Sequence, residues 1–106
     1  MDRAYFHGLL NAPEEFDYEL YLKTGTLFSC QKPFDAFVNA DELQFQIVHQ
    51  VEELWMKLAI HTLLDIDDHM RAGRVHRVVT LFRRVHLILR LMTDQLDLLE
   101  TMSPKE

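Results

Sequence analysis

Residues 39–70 read NADELQFQIVHQVEELWMKLAIHTLLDIDDHM, a run with neither glycine nor proline. Such a run predicts one long helix, because nothing in it removes a backbone donor or offers a left-handed turn. Asn39 is placed to cap it, with Glu42 three residues on reaching back in the manner of a capping box. The pattern runs to about Met70, and Gly73 supplies the stop. About 31 residues at 1.5 Å each span roughly 46 Å. A compact domain of about this length has a radius of gyration near 13 Å. The expectation is therefore an elongated chain, or a helix that packs on other chains.

At 100° per residue, Gln46, Gln50, Glu53, Lys57 and His61 gather on one narrow polar strip. Leu43, Ile47, Val51, Leu54 and Leu58 lie on one side of it, and Val48, Trp55, Ala59 and Ile66 on the next. A helix apolar over most of its circumference must be covered by several neighbours. One further helix is not enough, so the rest of the cover is expected from additional chain or from other subunits.

Downstream, a second helix is predicted from about Arg74 to Thr101. Val75, Val78, Phe82, Val85, Leu89, Met92, Leu96 and Leu99 alternate spacings of three and four. That seam fits the core face of an antiparallel helical hairpin better than an independent parallel coiled coil. Arg71, Arg74, Arg77, Arg83, Arg84 and Arg90 fall here or just before, and are expected on a solvated face.

Upstream, residues 17–31 hold Tyr18, Tyr21, Leu22, Leu27 and Phe28, a short apolar element interrupted at Gly25. Pro33 disfavours the helical region for Lys32 and breaks the chain there. Residues 1–16 show no sustained periodicity and read as a flexible amino-terminal arm, leaving 17–106 as the helical domain.

Composition narrows the class further. Glycine and proline number three each, too few for a turn-dense sandwich or barrel. A formal charge of −6 argues against nucleic acid and anionic membrane as partners. No apolar run approaches the ~20 residues of a membrane span, and no secretory signal is evident at the amino terminus. The lone Cys30 cannot pair within the chain, which fits a reducing, cytoplasmic setting.

A stripe of Phe45, His49, Glu52, Met56, Ile60 and Leu63 places one imidazole and one carboxylate in apolar company. Such a histidine is either a hydrogen-bonded structural residue or a neutral imidazole lining a ligand pocket. Glu52 is expected to pair with a basic neighbour. The six histidines form no His-Glu-x-x-His motif, no paired Glu-x-x-His motifs are present, and Asp65 to His69 lacks the spacing and glycine of a calcium loop. No metal ligand is assigned from spacing, and Cys30 has no nucleophile signature around it.

The run Asp41-Glu42-Leu43-Gln44-Phe45-Gln46-Ile47-Val48-His49-Gln50, followed by Glu53-Leu54-Trp55-Met56-Lys57, resembles the tryptophan 2,3-dioxygenase family. That family carries an aspartate-glutamate pair, then Phe-Ile-Ile-x-His-Gln and Glu-Leu-Trp-x-Lys on one helix. Tyr18-Glu19-Leu20-Tyr21-Leu22 is similar to its Tyr-x-x-Tyr-Leu segment, and Leu99-Glu100-Thr101-Met102-Ser103-Pro104 to its Leu-Glu-Thr-x-(Ser/Thr)-Pro segment. The resemblance covers residues 17–106. Two departures stand out: Gln46 replaces an isoleucine, and Thr24-Gly25 replaces an apolar-acidic pair.

The resemblance implies an all-α bundle of long antiparallel helices that binds haem b and assembles as a homotetramer, one subunit's amino-terminal segment closing a neighbour's site. It implies an oxidoreductase of tryptophan catabolism, inserting dioxygen across the indole C2–C3 bond of L-tryptophan to give N-formylkynurenine, in the kynurenine pathway. By position, His49 would be catalytic, facing the indole N–H on the distal side of the haem. Phe45, Gln46, Ile47 and Val48 would line the substrate pocket, with Tyr18 and Tyr21 covering it from an adjacent subunit. The family's substrate-gripping arginine and its proximal histidine lie beyond the position of Glu106, so the haem axial ligand is not in this chain. The chain then reads as the amino-terminal part of a dioxygenase, cut short or natively split with a complementing carboxy-terminal chain. The alternative is a non-catalytic helical oligomerisation module derived from that fold.

Overall fold

The computed structural model describes residues 2–11 and 17–102. Every regular element among them is helical, as the composition predicts. They form two compact units, Met1–Val38 and Asn39–Glu106.

In the first unit, α1 spans Arg3–Leu10, inside the segment read as an arm. Asp2 starts it: its Oδ1 accepts the Tyr5 N–H at 3.1 Å, satisfying one donor of the first turn. Asn11 closes it, donating from Nδ2 to the His7 carbonyl at 2.7 Å. Helices α2 (Asp17–Leu22) and α3 (Thr24–Phe28) follow. The break between them falls at Lys23, in the left-handed region with φ 56°, and not at Gly25, which lies inside α3. Ser29 and Gln31 then donate from their side chains to the carbonyls of Thr26 and Leu27, the same oxygens that accept the Ser29 and Cys30 amides. Pro33 is extended and leads into a single 3₁₀ turn at Phe34–Ala36. There the Phe34 ring stacks on His7 of α1, centroids 4.4 Å apart.

The second unit is a helical hairpin. Helix α4 spans Glu42–Arg71, thirty residues, and α5 spans Val75–Gln95. The final turns predicted as α-helix, Leu96–Thr101, are 3₁₀. Asn39 caps the turn before α4 and not the helix: its Oδ1 accepts the Asp41 amide at 2.9 Å, and the first helical residue is Glu42. The link between the helices is complete in its hydrogen bonds. Gly73 takes φ +73°, its amide bonds to the Met70 carbonyl at 3.1 Å, and the Arg74 amide reaches back to His69 at 3.0 Å. That double closure is the Schellman arrangement, and it requires the left-handed residue that glycine supplies without strain.

The packing face of α5 is rotated from the predicted seam. Val78, Val85, Met92 and Leu99 are shared, but Leu81 and Ile88 are buried where Phe82 and Leu89 were expected, and those two are exposed. α5 carries two overlapping three-four stripes, and only the partner helix chooses between them. Ile66 of α4 packs with Leu81 and Val85, with Val78 against the same cluster. Thr62 is buried beside them, its hydroxyl donating to the Leu58 carbonyl at 2.7 Å, so no polar group is stranded there.

α5 covers one face of α4. Ile47, Leu54, Leu58, Ile60, Leu63 and Leu64 stay exposed, as the wheel predicts for a helix with one neighbour. No helix among the described residues is long and apolar enough to cross a membrane.

Candidate functional site

The amino-terminal half of α4 presents Glu42, Phe45, Gln46, His49, Gln50 and Glu53 along one face, with steps of three and one that keep them aligned on a 3.6-residue helix. They line an open groove of about 440 Å³. Its floor is the pair Phe45 and His49, one turn apart, with ring centroids at 4.2 Å and planes tilted by 33°.

The imidazole is oriented by its own helix. His49 Nδ1 lies 2.7 Å from the Phe45 carbonyl oxygen. A carbonyl only accepts, so Nδ1 carries the hydrogen, and in the neutral ring Nε2 is left with its lone pair. The arrangement offers a flat apolar ring and, beside it, a fixed acceptor nitrogen. That combination suits an aromatic ligand with a ring N–H.

Of the residues singled out from the sequence, the structure brings Phe45, Gln46 and His49 together. Ile47 and Val48 do not line the groove: Ile47 is exposed on another side of α4, and Val48, 4% exposed, points into the hairpin interior. A 100° step separates neighbours on a helix, so a contiguous run cannot all face one pocket. Tyr18 and Tyr21 belong to α2 in the other unit, 72% and 86% exposed. Glu42, Gln50 and Glu53 join the groove without having been singled out as ligand residues; their positions three or four residues from Phe45, Gln46 or His49 are the signal that finds them.

His49 was expected inside apolar company, and it is exposed. The rest of its stripe, Met56, Ile60 and Leu63, lies on the same uncovered surface. Glu52 departs from expectation as well. Its Oε1 is buried without a hydrogen-bond partner, as are Trp55 Nε1 and Gln95 Oε1, and no basic side chain pairs with it among the described residues. Among those residues, no three His, Cys, Asp or Glu side chains stand close enough to hold a metal ion.

The family model for tryptophan 2,3-dioxygenase matches residues 8–106, taking in the whole groove. The chain belongs to the tryptophan 2,3-dioxygenase family. It is 36% identical over 89 residues to the tryptophan 2,3-dioxygenase of Anaeromyxobacter sp. (strain K), covering 84% of this chain and 33% of that protein. It is 39% identical over 87 residues to that of Herpetosiphon aurantiacus, covering 82% and 34%, and 37% identical over 93 residues to that of Rhodococcus jostii, covering 88% and 33%. The chain thus spans about a third of the length of these family members. No solved structure matches it. The residues that the family model matches include both members of the ring pair, Phe45 and His49.

Proposed function

We propose that this chain supplies the distal, substrate-facing wall of a haem-dependent dioxygenase that opens the indole ring of L-tryptophan to N-formylkynurenine. The observation that carries the reading is the fixed tautomer of His49. With Nδ1–H held by the Phe45 carbonyl, Nε2 is an acceptor beside an aromatic ring. An indole bound there gives its N–H to Nε2 and lays its face toward Phe45. Drawing on that proton raises electron density at C3, where oxygen adds. The two residues also orient the ring and help keep water from it.

Haem would fit this chain at the groove on α4: among the described residues the lining comes from α4, which would offer a planar group an apolar ring and an acceptor nitrogen. When bound, the haem supplies the binding and activation of dioxygen.

Assembly follows from the uncovered surface. Leu54, Ile60 and Leu64 of α4 and Val79 of α5 are each more than half exposed. Large apolar side chains left this exposed mark an interface in a soluble protein, and symmetric self-association is the commonest way to cover them. We take the assembly to be the tetramer that the family resemblance implies, or a complex with a complementing carboxy-terminal chain. Tyr18 and Tyr21 then cover the indole from an adjacent subunit, and their exposure leaves them available for it. The single exposed cysteine is compatible with a cytoplasmic location.

A second reading, a non-catalytic helical oligomerisation module, is favoured by the exposed apolar side chains of α4. Titrating the chain with indole while following the ring signals of Phe45 and His49 separates the two. Saturable shifts at both residues support the dioxygenase wall, and their absence supports the module.

A further inference from the structure

The seam between α4 and α5 carries one polar layer. Buried and half-buried positions recur in threes and fours on both helices, at 66, 62, 59, 55, 52 and 48 of α4 and at 81, 85, 88, 92, 95 and 99 of α5. Ile66 packs with Leu81. Counting outward from that contact along two antiparallel helices sets Glu52 across from Gln95, with Trp55 one step nearer the turn. The reach of Gln44 to Leu98 and Thr101 agrees with that register at the open end.

Three atoms of this layer, Glu52 Oε1, Trp55 Nε1 and Gln95 Oε1, are buried, and none has a hydrogen-bond partner. An unmet donor or acceptor in such a place is costly. The indole N–H only donates, while the carboxylate and carbonyl oxygens accept. Trp55 has one hydrogen for two oxygens, and it reaches neither. What completes the three atoms is a group that accepts once and donates twice. Ammonium and metal cations accept nothing from an indole N–H, and an anion donates nothing to the oxygens. Water does both, and about three hydrogen bonds is the ordinary number for a water buried in a protein. Turning the Gln95 carboxamide over exchanges an acceptor for a donor, and water meets that set as well.

We propose that Glu52, Trp55 and Gln95 form a binding site for one buried water, which accepts from Trp55 Nε1–H and donates to the two oxygens. Glu52 lies three residues past His49, so this bridge ties α5 to the stretch of α4 that carries the ring pair.

Trp55 is the one tryptophan of the chain, so its indole N–H gives a single, isolated resonance. In the full 106-residue chain, labelled with heavy nitrogen, that proton is expected to show laboratory-frame and rotating-frame Overhauser cross-peaks of opposite sign at the water frequency. Opposite signs mark a held water and not passing solvent. Glu52→Met combined with Gln95→Met keeps unbranched side chains of similar length that favour a helix. The double variant is expected to lose both cross-peaks and to move the indole proton upfield, with an unchanged far-ultraviolet spectrum. Absence of a held-water signal in the unmodified chain overturns the proposal, whether or not the variant folds. A signal that survives in the double variant overturns the assignment to this layer.

Discussion

Gln44 donates from Nε2 to the carbonyl oxygen of Leu98 at 2.7 Å, and the same nitrogen lies 3.1 Å from Thr101 Oγ1. One side chain near the start of α4 thereby holds the last 3₁₀ turns, 54 residues away, at the end of the hairpin opposite Gly73. The Leu98 carbonyl also accepts from the Thr101 hydroxyl at 2.6 Å, so the three groups form a closed local network.

Gln44→Ala should therefore cost about 1 kcal/mol, with the loss concentrated at the open end of the hairpin. Amide hydrogen exchange is the measurement. Faster exchange across 96–102, with protection of the Ile66–Leu81 region unchanged, is the expected result. Uniform loss of protection would place the clamp's role elsewhere.

The choice of seam on α5 is testable with two truncations. Leu81 is fully buried, whereas Phe82 is 41% exposed. Leu81→Ala should lower stability by roughly 2–5 kcal/mol and Phe82→Ala by well under half as much. Denaturant midpoints compared under one condition decide it, and the reverse ranking would mean that the 82/89 stripe forms the interface.

Gly73→Ala isolates a backbone effect. A Cβ built at Gly73 meets nothing within 4 Å, so steric clash is absent and only the φ of +73° is penalised. The expected cost is about 1–2 kcal/mol, seen as a lowered melting temperature with an unchanged far-ultraviolet spectrum. Gly73→Asn, which tolerates the left-handed region better, should recover part of the loss.

His49→Ala in an assembled, haem-loaded enzyme should reduce turnover by roughly 10–10³-fold, since it removes one orienting hydrogen bond and leaves the oxygen chemistry in place. His49 is exposed, so the melting temperature should barely move. A sharp loss of stability at constant activity would make it a structural residue.

Self-association is expected at micromolar concentration. Leu64 is 62% exposed on α4, so Leu64→Glu should shift the light-scattering mass toward a single chain if this face is buried between copies. A cooperatively melting chain of single-chain mass before any substitution would rule the assembly out.

Much of this was legible along the chain. The long helix, Glu42–Arg71 in the structure, follows from an uninterrupted apolar pattern and a glycine placed just past its end, both local properties of consecutive residues. Phe45 and His49 are four apart, so their meeting on one helix face follows from spacing alone, and the motif around them carries the family. The uncovered apolar faces of α4 were equally visible, because a wheel counts apolar directions and one neighbour can occupy only one of them.

What tertiary structure decided is what depends on a second element. Val75/Phe82/Leu89 and Leu81/Ile88 are equally good stripes in sequence; contact with Ile66 selects the second. The imidazole's orientation belongs to its 2.7 Å contact with the Phe45 carbonyl, a backbone atom that no residue pattern names. Val48 was drawn into the hairpin and Gln46 left at the groove because packing α5 on α4 fixes which direction is inward. Periodicity along a chain specifies that a face exists. Which neighbour covers it, and so which side chains remain for chemistry, is settled only when two helices bury their surfaces against each other.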